Sequence, residues 1–206
     1  MDSLNKISGT KAPGFDGLKP CVIKEALADI FNRSFIPGVF PDDLKIGKVI
    51  PIHKGGTIHD IGNFRPISVL SIFSKVFEKI VYTRLMSFLN THDILSESQF
   101  GFRENPSTEL AITYVVNKLL TAIEDKCISI GIFLDLSKAF DTVNHNLLLL
   151  KLEHYRIRGI ALDWFKIYLS DRNQFVSFNG NKSELRPISC GVPQGSVLVL
   201  FYSSFI

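Results

Sequence analysis

The chain has 206 residues, 46% of them hydrophobic and 21% charged, which supplies core material for one ordinary domain or two small lobes and excludes a disordered class. Lys and Arg number 23 against 20 Asp and Glu, and the resulting +3 permits nucleic-acid binding without demanding it. Cys21, Cys127 and Cys190 are odd in number, widely spaced and form no C-x-x-C pair, so a disulfide framework and a zinc site are both disfavoured and reduced intracellular thiols are expected.

The first stretch, MDSLNKISGTK, has no apolar core of signal-peptide length. KAPGFDGLKP (11–20) gathers Pro13, Gly14, Gly17 and Pro20 into a turn-rich segment before a helix predicted from Val22 to Phe35. The strand-like KVIPI is joined by an irregular stretch, HKGGTIHDIGNFRP (53–66), to a strong helix predicted over Ser71 to Asn90. There Ile72, Phe73, Val76, Phe77, Ile80, Val81, Leu85, Phe88 and Leu89 share one face at three-to-four spacing, and core packing accounts for all of them. A further helix follows Pro106, with Asn105 as N-cap and Glu109 near the positive end of its dipole.

Over residues 128–136 the period changes to two. Ile128, Ile130, Ile132, Leu134 and Leu136 share one face, and Ser129, Gly131, Phe133 and Asp135 the other, which predicts a strand with Asp135 at its end, facing away from the aliphatic row. Helices are expected at roughly Val143 to Tyr155 and Leu162 to Leu169, then a hairpin, QFVSF-NGNKS-ELRPIS, turning at Asn179-Gly180. The final apolar run, Val197 to Ile206, is too short to span a bilayer. Helices and strands mix without strict alternation, so the expected class is α+β, in the cytoplasm or nucleus and with no membrane partner.

By spacing alone Asp135 is a weak signal, since a strand-terminal aspartate serves more often as a turn former or helix cap than as a ligand. Lys54 and Arg65 alone read as solvated loop charges, Phe140 as a helix-start core residue, and the five histidines show no metal-ligand spacing. Yet the chain carries, in order, KAPGFDGL (11–18), PIHKGG (51–56), NFRPISVL (63–70), SKVFEKI (74–80), QFGFRENPST (99–108), FLDLSKAFDTVNH (133–145) and GVPQGSVL (191–198). Seven blocks in this order, covering about residues 9–198, resemble the reverse transcriptases of non-long-terminal-repeat, LINE-like retrotransposons.

The resemblance implies a right-hand polymerase, with residues 1–110 in the fingers and 111–198 in a partial palm. It also implies an RNA-directed DNA polymerase whose partners are an RNA template, a DNA primer, dNTPs and Mg²⁺. Asp135 then matches a catalytic metal ligand, assisted by the Leu136 carbonyl, in keeping with the oxygen preference of Mg²⁺. Phe140 matches the steric gate against a ribose 2′-hydroxyl. Lys54 and Arg65 match cations that grip the triphosphate. Gln194 and Gly195 match a nucleotide-binding turn in which glycine allows close backbone approach. For Asp141 a capping or salt-bridge role is expected rather than metal binding.

A two-metal site needs carboxylates from more than one strand. The family supplies these from a later hairpin bearing Tyr/Phe-Ala-Asp-Asp, and these 206 residues contain no such sequence. The tail VLFYSSFI (199–206) is expected to be an out-of-frame translation, because codons compatible with it, read one base earlier, give the family's Gly-Pro-Leu-Leu-Phe-Leu-Leu-Tyr. Loss of the palm hairpin leaves a strand edge and apolar surface uncovered. The chain alone is accordingly expected to be inactive and marginally stable. The alternatives are a non-catalytic nucleic-acid-binding remnant and a decayed mobile-element fragment without function.

Overall fold

The computed structural model describes residues 24–101, 107–136 and 138–202. The segment 11–18, Cys21, and Asn105 with Pro106 lie outside them. In chain order the elements are α1 (Lys24–Phe35), β1 (Ile46–His53), β2 (Phe64–Val69), α2 (Ile72–Thr91), α3 (Thr108–Glu124), α4 (His145–His154), α5 (Ile160–Leu169), β3 (Asn173–Phe178), β4 (Asn181–Lys182), β5 (Arg186–Pro187) and a four-residue turn of helix, α6 (Val199–Tyr202). The fold is α+β with a mixed, open sheet.

The sheet runs β2-β1-β3-β4, with β5 also pairing to β3. β1 is antiparallel to β2 and parallel to β3. Two prolines, Pro51 and Pro66, face each other across the β1–β2 ladder, an arrangement a sheet tolerates only where neither has a bond to give. The Ser68 N–H points away from β1, to the Gln194 carbonyl. Alternation then turns the ring nitrogen of Pro66 outward as well. Pro51 in turn lies beyond the β1–β3 pairing, which covers only Ile46 to Val49.

The expectation that residues 53–66 are wholly irregular is therefore corrected at its end. Phe64, Arg65 and Pro66 belong to strand β2, because a proline on an edge strand removes no ladder bond. The predicted hairpin is present: Phe178 pairs with Asn181 and Ser177 with Lys182, and Asn179 and Gly180 both take positive φ, 48° and 81°, as a two-residue turn of primed type requires.

Helix α2 starts where its spacing predicts. The Ser71 side chain accepts from the Phe73 N–H as N-cap. Ile72, Val76, Phe77, Ile80, Leu85 and Leu89 are buried, while Phe73, Val81 and Phe88 pack partly against the same core. The centre of that core is aromatic. Phe31 and Phe40 set their rings edge-on to Phe77 at 4.2 and 5.5 Å, and Phe40 meets Trp164 and Tyr168 at 5.4 and 5.0 Å. Burying each such ring contributes about 1.5–3 kcal/mol, and together they tie α1, α2 and α5 into one body. Phe201 of α6 stacks on Phe165 at 6.0 Å. Phe201 and Tyr202 are both fully buried in this core.

Two further expectations need correction. The N-cap of α3 is Ser107, whose hydroxyl accepts from the Leu110 N–H at 3.2 Å, rather than Asn105. Residues 128–136 form no strand: the period-two pattern is there, but among the described residues nothing pairs with them. Ile128, Ile130, Ile132, Phe133, Leu134 and Leu136 stand in solvent, Phe133 at 95% exposure. A strand exists only through its neighbour's hydrogen bonds, and this segment has the side-chain pattern without the neighbour.

Candidate functional site

The turn Pro193-Gln194-Gly195 sits where three parts of the chain converge. On one side the Ser68 N–H of β2 donates to the Gln194 carbonyl at 2.6 Å. Gly195, at φ +117°, lies so close to β2 that a Cβ there would stand 2.5 Å from the Ser68 oxygen. Only glycine fits this approach. On the other side the Gln194 side-chain amide donates to Asp141 Oδ1 at 2.7 Å. Among the described residues Asp141 makes no capping bond and no ion pair of the kind expected; its carboxylate orients the glutamine instead.

The segment entering the turn is laced to residues 140–143. The Gly191 N–H donates to the Val143 carbonyl at 2.8 Å and the Val192 N–H to that of Phe140 at 2.9 Å. Gly191, at φ +81°, would place a Cβ 2.6 Å from the Asp141 carbonyl oxygen. His145 Nε2 donates to the Gly191 carbonyl at 2.7 Å, which fixes the imidazole tautomer with its proton on that nitrogen.

Beyond the turn the chain is held by a buried carboxylate. Glu78 of α2 is fully buried and accepts from the Val197 N–H at 2.7 Å, the Ser196 hydroxyl at 3.0 Å, the Tyr168 hydroxyl at 2.6 Å and, more distantly, the Ser74 hydroxyl at 3.4 Å. Burial pushes its carboxyl above the ordinary range, against the lowering pull of these donors and of Arg172. Tyr168 is shifted upward too, by burial and then by Glu78, so its phenol stays neutral and donating. Arg172, itself buried, donates to the Tyr168 carbonyl at 3.1 Å and lays its guanidinium 4.7 Å from the centre of that ring.

Lys54 and Arg65 lie together at the loop end of the β1–β2 hairpin, where Ile52 pairs with Arg65 and Lys54 follows at the end of β1. Both are exposed and, among the described residues, neither has an ion-pair partner. Gly55 and Gly56, at φ +113° and +82°, turn the chain beside Lys54. Phe140 packs half-buried against the core. The fold therefore brings together Phe140, Asp141, Gln194 and Gly195, and links them through Ser68 to the strand that bears Arg65.

Asp135 and Leu136 are not part of this assembly. Both are exposed at the end of the unpaired stretch 128–136. Among the described residues no three His, Cys, Asp or Glu side chains group as a metal site. A two-metal centre clamps both the attacking and the leaving oxygen, and one carboxylate with one backbone carbonyl is too small a ligand set to fit it.

Spacing did not reveal Glu78, Ser68, Ser196, Tyr168 or His145. The available signal for Glu78 was a lone acid inside a helix's apolar face, at Val76-Phe77-Glu78, where a buried charge must have partners.

A family model described as "Reverse transcriptase (RNA-dependent DNA polymerase)" matches residues 52–204. The RNA-directed DNA polymerase from mobile element jockey of Drosophila melanogaster is 38% identical over 94% of the chain, and a probable RNA-directed DNA polymerase from transposon BS of the same species is 32% identical over 100% of the chain. The probable RNA-directed DNA polymerase from transposon X-element, also of that species, is 35% identical over 93%. The chain spans 22%, 24% and 22% of the length of these relatives. No described helix is long and apolar enough to cross a membrane. The chain belongs to the reverse transcriptase family, as a domain of the kind found in non-long-terminal-repeat retrotransposons.

Proposed function

We propose that these residues are the nucleotide-positioning part of an RNA-directed DNA polymerase: fingers up to about residue 110, then the part of the palm that carries the Pro-Gln-Gly turn. The observation that carries this is the double attachment of Gln194, by its backbone to Ser68 of β2 and by its side chain to Asp141. It leaves the turn's backbone fixed between the strand bearing Arg65 and the segment following Asp135. Lys54 and Arg65 act on the triphosphate as exposed cations on a hairpin whose Gly-Gly turn gives the chain freedom to close. Phe140 is the gate against the 2′-hydroxyl, and Gln194 with Gly195 receives the incoming dNTP. Asp135 and the Leu136 carbonyl are this chain's share of the Mg²⁺ ligands. That share is insufficient, so the 206 residues alone bind primer–template and dNTP without extending the primer.

The test is fluorescence anisotropy of a labelled RNA–DNA duplex across a salt series, beside a primer-extension assay. Binding that weakens with salt, loses affinity by about tenfold and flattens in salt slope by about two in Lys54→Ala/Arg65→Ala, with no extension, is expected. Binding indifferent to salt and to both cations overturns the fingers reading. Metal-dependent extension that vanishes in Asp135→Ala overturns the incompleteness of the site.

A further inference from the structure

The carboxamide of Gln194 has two ends of equal shape and opposite chemistry: Oε1 only accepts and Nε2 only donates. A half-turn about the last side-chain bond exchanges them at little steric cost, so a glutamine without a partner presents either end to a ligand. Here Nε2 donates to Asp141 Oδ1 at 2.7 Å. A carboxylate accepts and does not donate, so the half-turned amide would set two acceptors against each other. The bond therefore fixes which end is spoken for, and it leaves Oε1 and one N–H for a ligand.

Asp141 is itself held in place for this task. Its own N–H and that of Thr142 both donate to the Lys138 carbonyl, at 2.9 and 3.2 Å. The Phe140 and Val143 carbonyls accept from Val192 and Gly191, and the Cys190 thiol donates to the Asp141 carbonyl at 3.6 Å. Residues 138–143 and 190–192 are thereby laced together, and the carboxylate meets the glutamine from a fixed backbone. Among the described residues it enters no ion pair, so its charge is not taken up by a neighbouring cation.

We propose that Asp141 is a positioning residue for nucleotide binding, holding the Gln194 carboxamide so that Oε1 is the end offered to the incoming nucleotide. The proposal rests on the polymerase reading and adds to it a residue that acts only through the glutamine. Without Asp141 the side chain regains rotamer freedom and presents the wrong end for part of the time. Ordering it and selecting one amide orientation then cost about five- to tenfold in affinity.

The test titrates dGTP, opposite a templating cytosine, into the full chain bound to an RNA–DNA duplex with Mg²⁺. In parallel, the side-chain amide resonances of Gln194, assigned by their loss in Gln194→Ala, report the bond without any nucleotide. Asp141→Ala is expected to weaken dGTP binding about five- to tenfold, and Asp141→Asn, whose amide can pair with either end of the glutamine, only about two- to threefold. Added to Gln194→Ala, Asp141→Ala is expected to cost nothing more, because the side chain it positions is already gone. The Gln194 amide protons are expected to exchange with water faster in Asp141→Ala. Additive losses in the double variant overturn the proposal, since Asp141 then acts without the glutamine. Tighter dGTP binding in both Asp141 variants overturns it too, as the mark of a carboxylate that only repels the triphosphate. An equal loss of duplex affinity does the same by assigning Asp141 to folding. Amide exchange indifferent to Asp141→Ala, with dGTP bound by the parent, overturns the positioning alone. A parent that binds no dGTP while its Gln194 amide stays protected overturns the polymerase reading, and the nucleotide role of Asp141 falls with it.

Discussion

The two halves of the candidate site are built to different standards. Around Gln194 the backbone and side-chain hydrogen bonds come from β2, from residues 140–143 and from a buried glutamate, and two glycines sit where a Cβ would stand within 2.6 Å of a neighbouring carbonyl oxygen. Around Asp135 an apolar stretch lies in solvent with no partner strand among the described residues. The difference lies in where each half obtains its order. The turn is ordered by the core of this chain, whereas the segment bearing the candidate metal ligand must obtain order from something laid beside it.

The sharpest way to break that contrast is at Glu78. Glu78→Ala leaves the Tyr168 hydroxyl, the Ser196 hydroxyl and the Val197 N–H without their acceptor inside the core. The expected loss is about 3 kcal/mol, read by urea unfolding. Glu78→Gln keeps the shape and one acceptor, and it adds a pH signature. Because burial raises the folded carboxyl above its ordinary value of 4.5, the protonated form favours the folded state. That stabilisation is complete below the unfolded value and is lost as pH rises through the folded one. The glutamine variant, having no such proton, is expected to gain on the parent as pH is raised from about 4.5. A constant difference across that window means that Glu78 does not titrate with folding.

Next in size are the glycines. Gly191→Ala must fit a methyl against the Asp141 carbonyl at a positive φ and is expected to lose about 2–3 kcal/mol. Gly180→Ala, also at positive φ but with nothing within 4 Å, carries only the backbone strain, about 1 kcal/mol. Thermal melts of the two variants separate close approach from conformation. Equal losses mean that the segment before the turn is free to move away from residue 141.

The same contrast governs what could be read from the sequence. Helix α2 was legible because burial of Ile72, Val76, Phe77 and Ile80 is a local, periodic property. Strand β2 was partly hidden by Pro66, whose harmlessness depends on lying at an edge, a fact about the sheet rather than the segment. Residues 128–136 were read as a strand from a pattern that is present, but pairing belongs to two segments at once. Glu78 was invisible for a related reason: its partners stand 90 and 118 residues further along. The site residues at the turn, Gln194 and Gly195, were legible only through family resemblance, and the tie to Asp141 that gives the glutamine its orientation was read otherwise.

The smallest expected effect bears most directly on the unpaired half. Phe133 is 95% exposed and the Asp135 side chain lies in solvent, so Phe133→Ser and Asp135→Asn remove no packing within one copy. In dilute solution each is expected to move the unfolding free energy by less than about 0.5 kcal/mol. A larger loss in either variant would mean that the segment packs within its own chain, and the two halves of the site would then differ in degree rather than in kind.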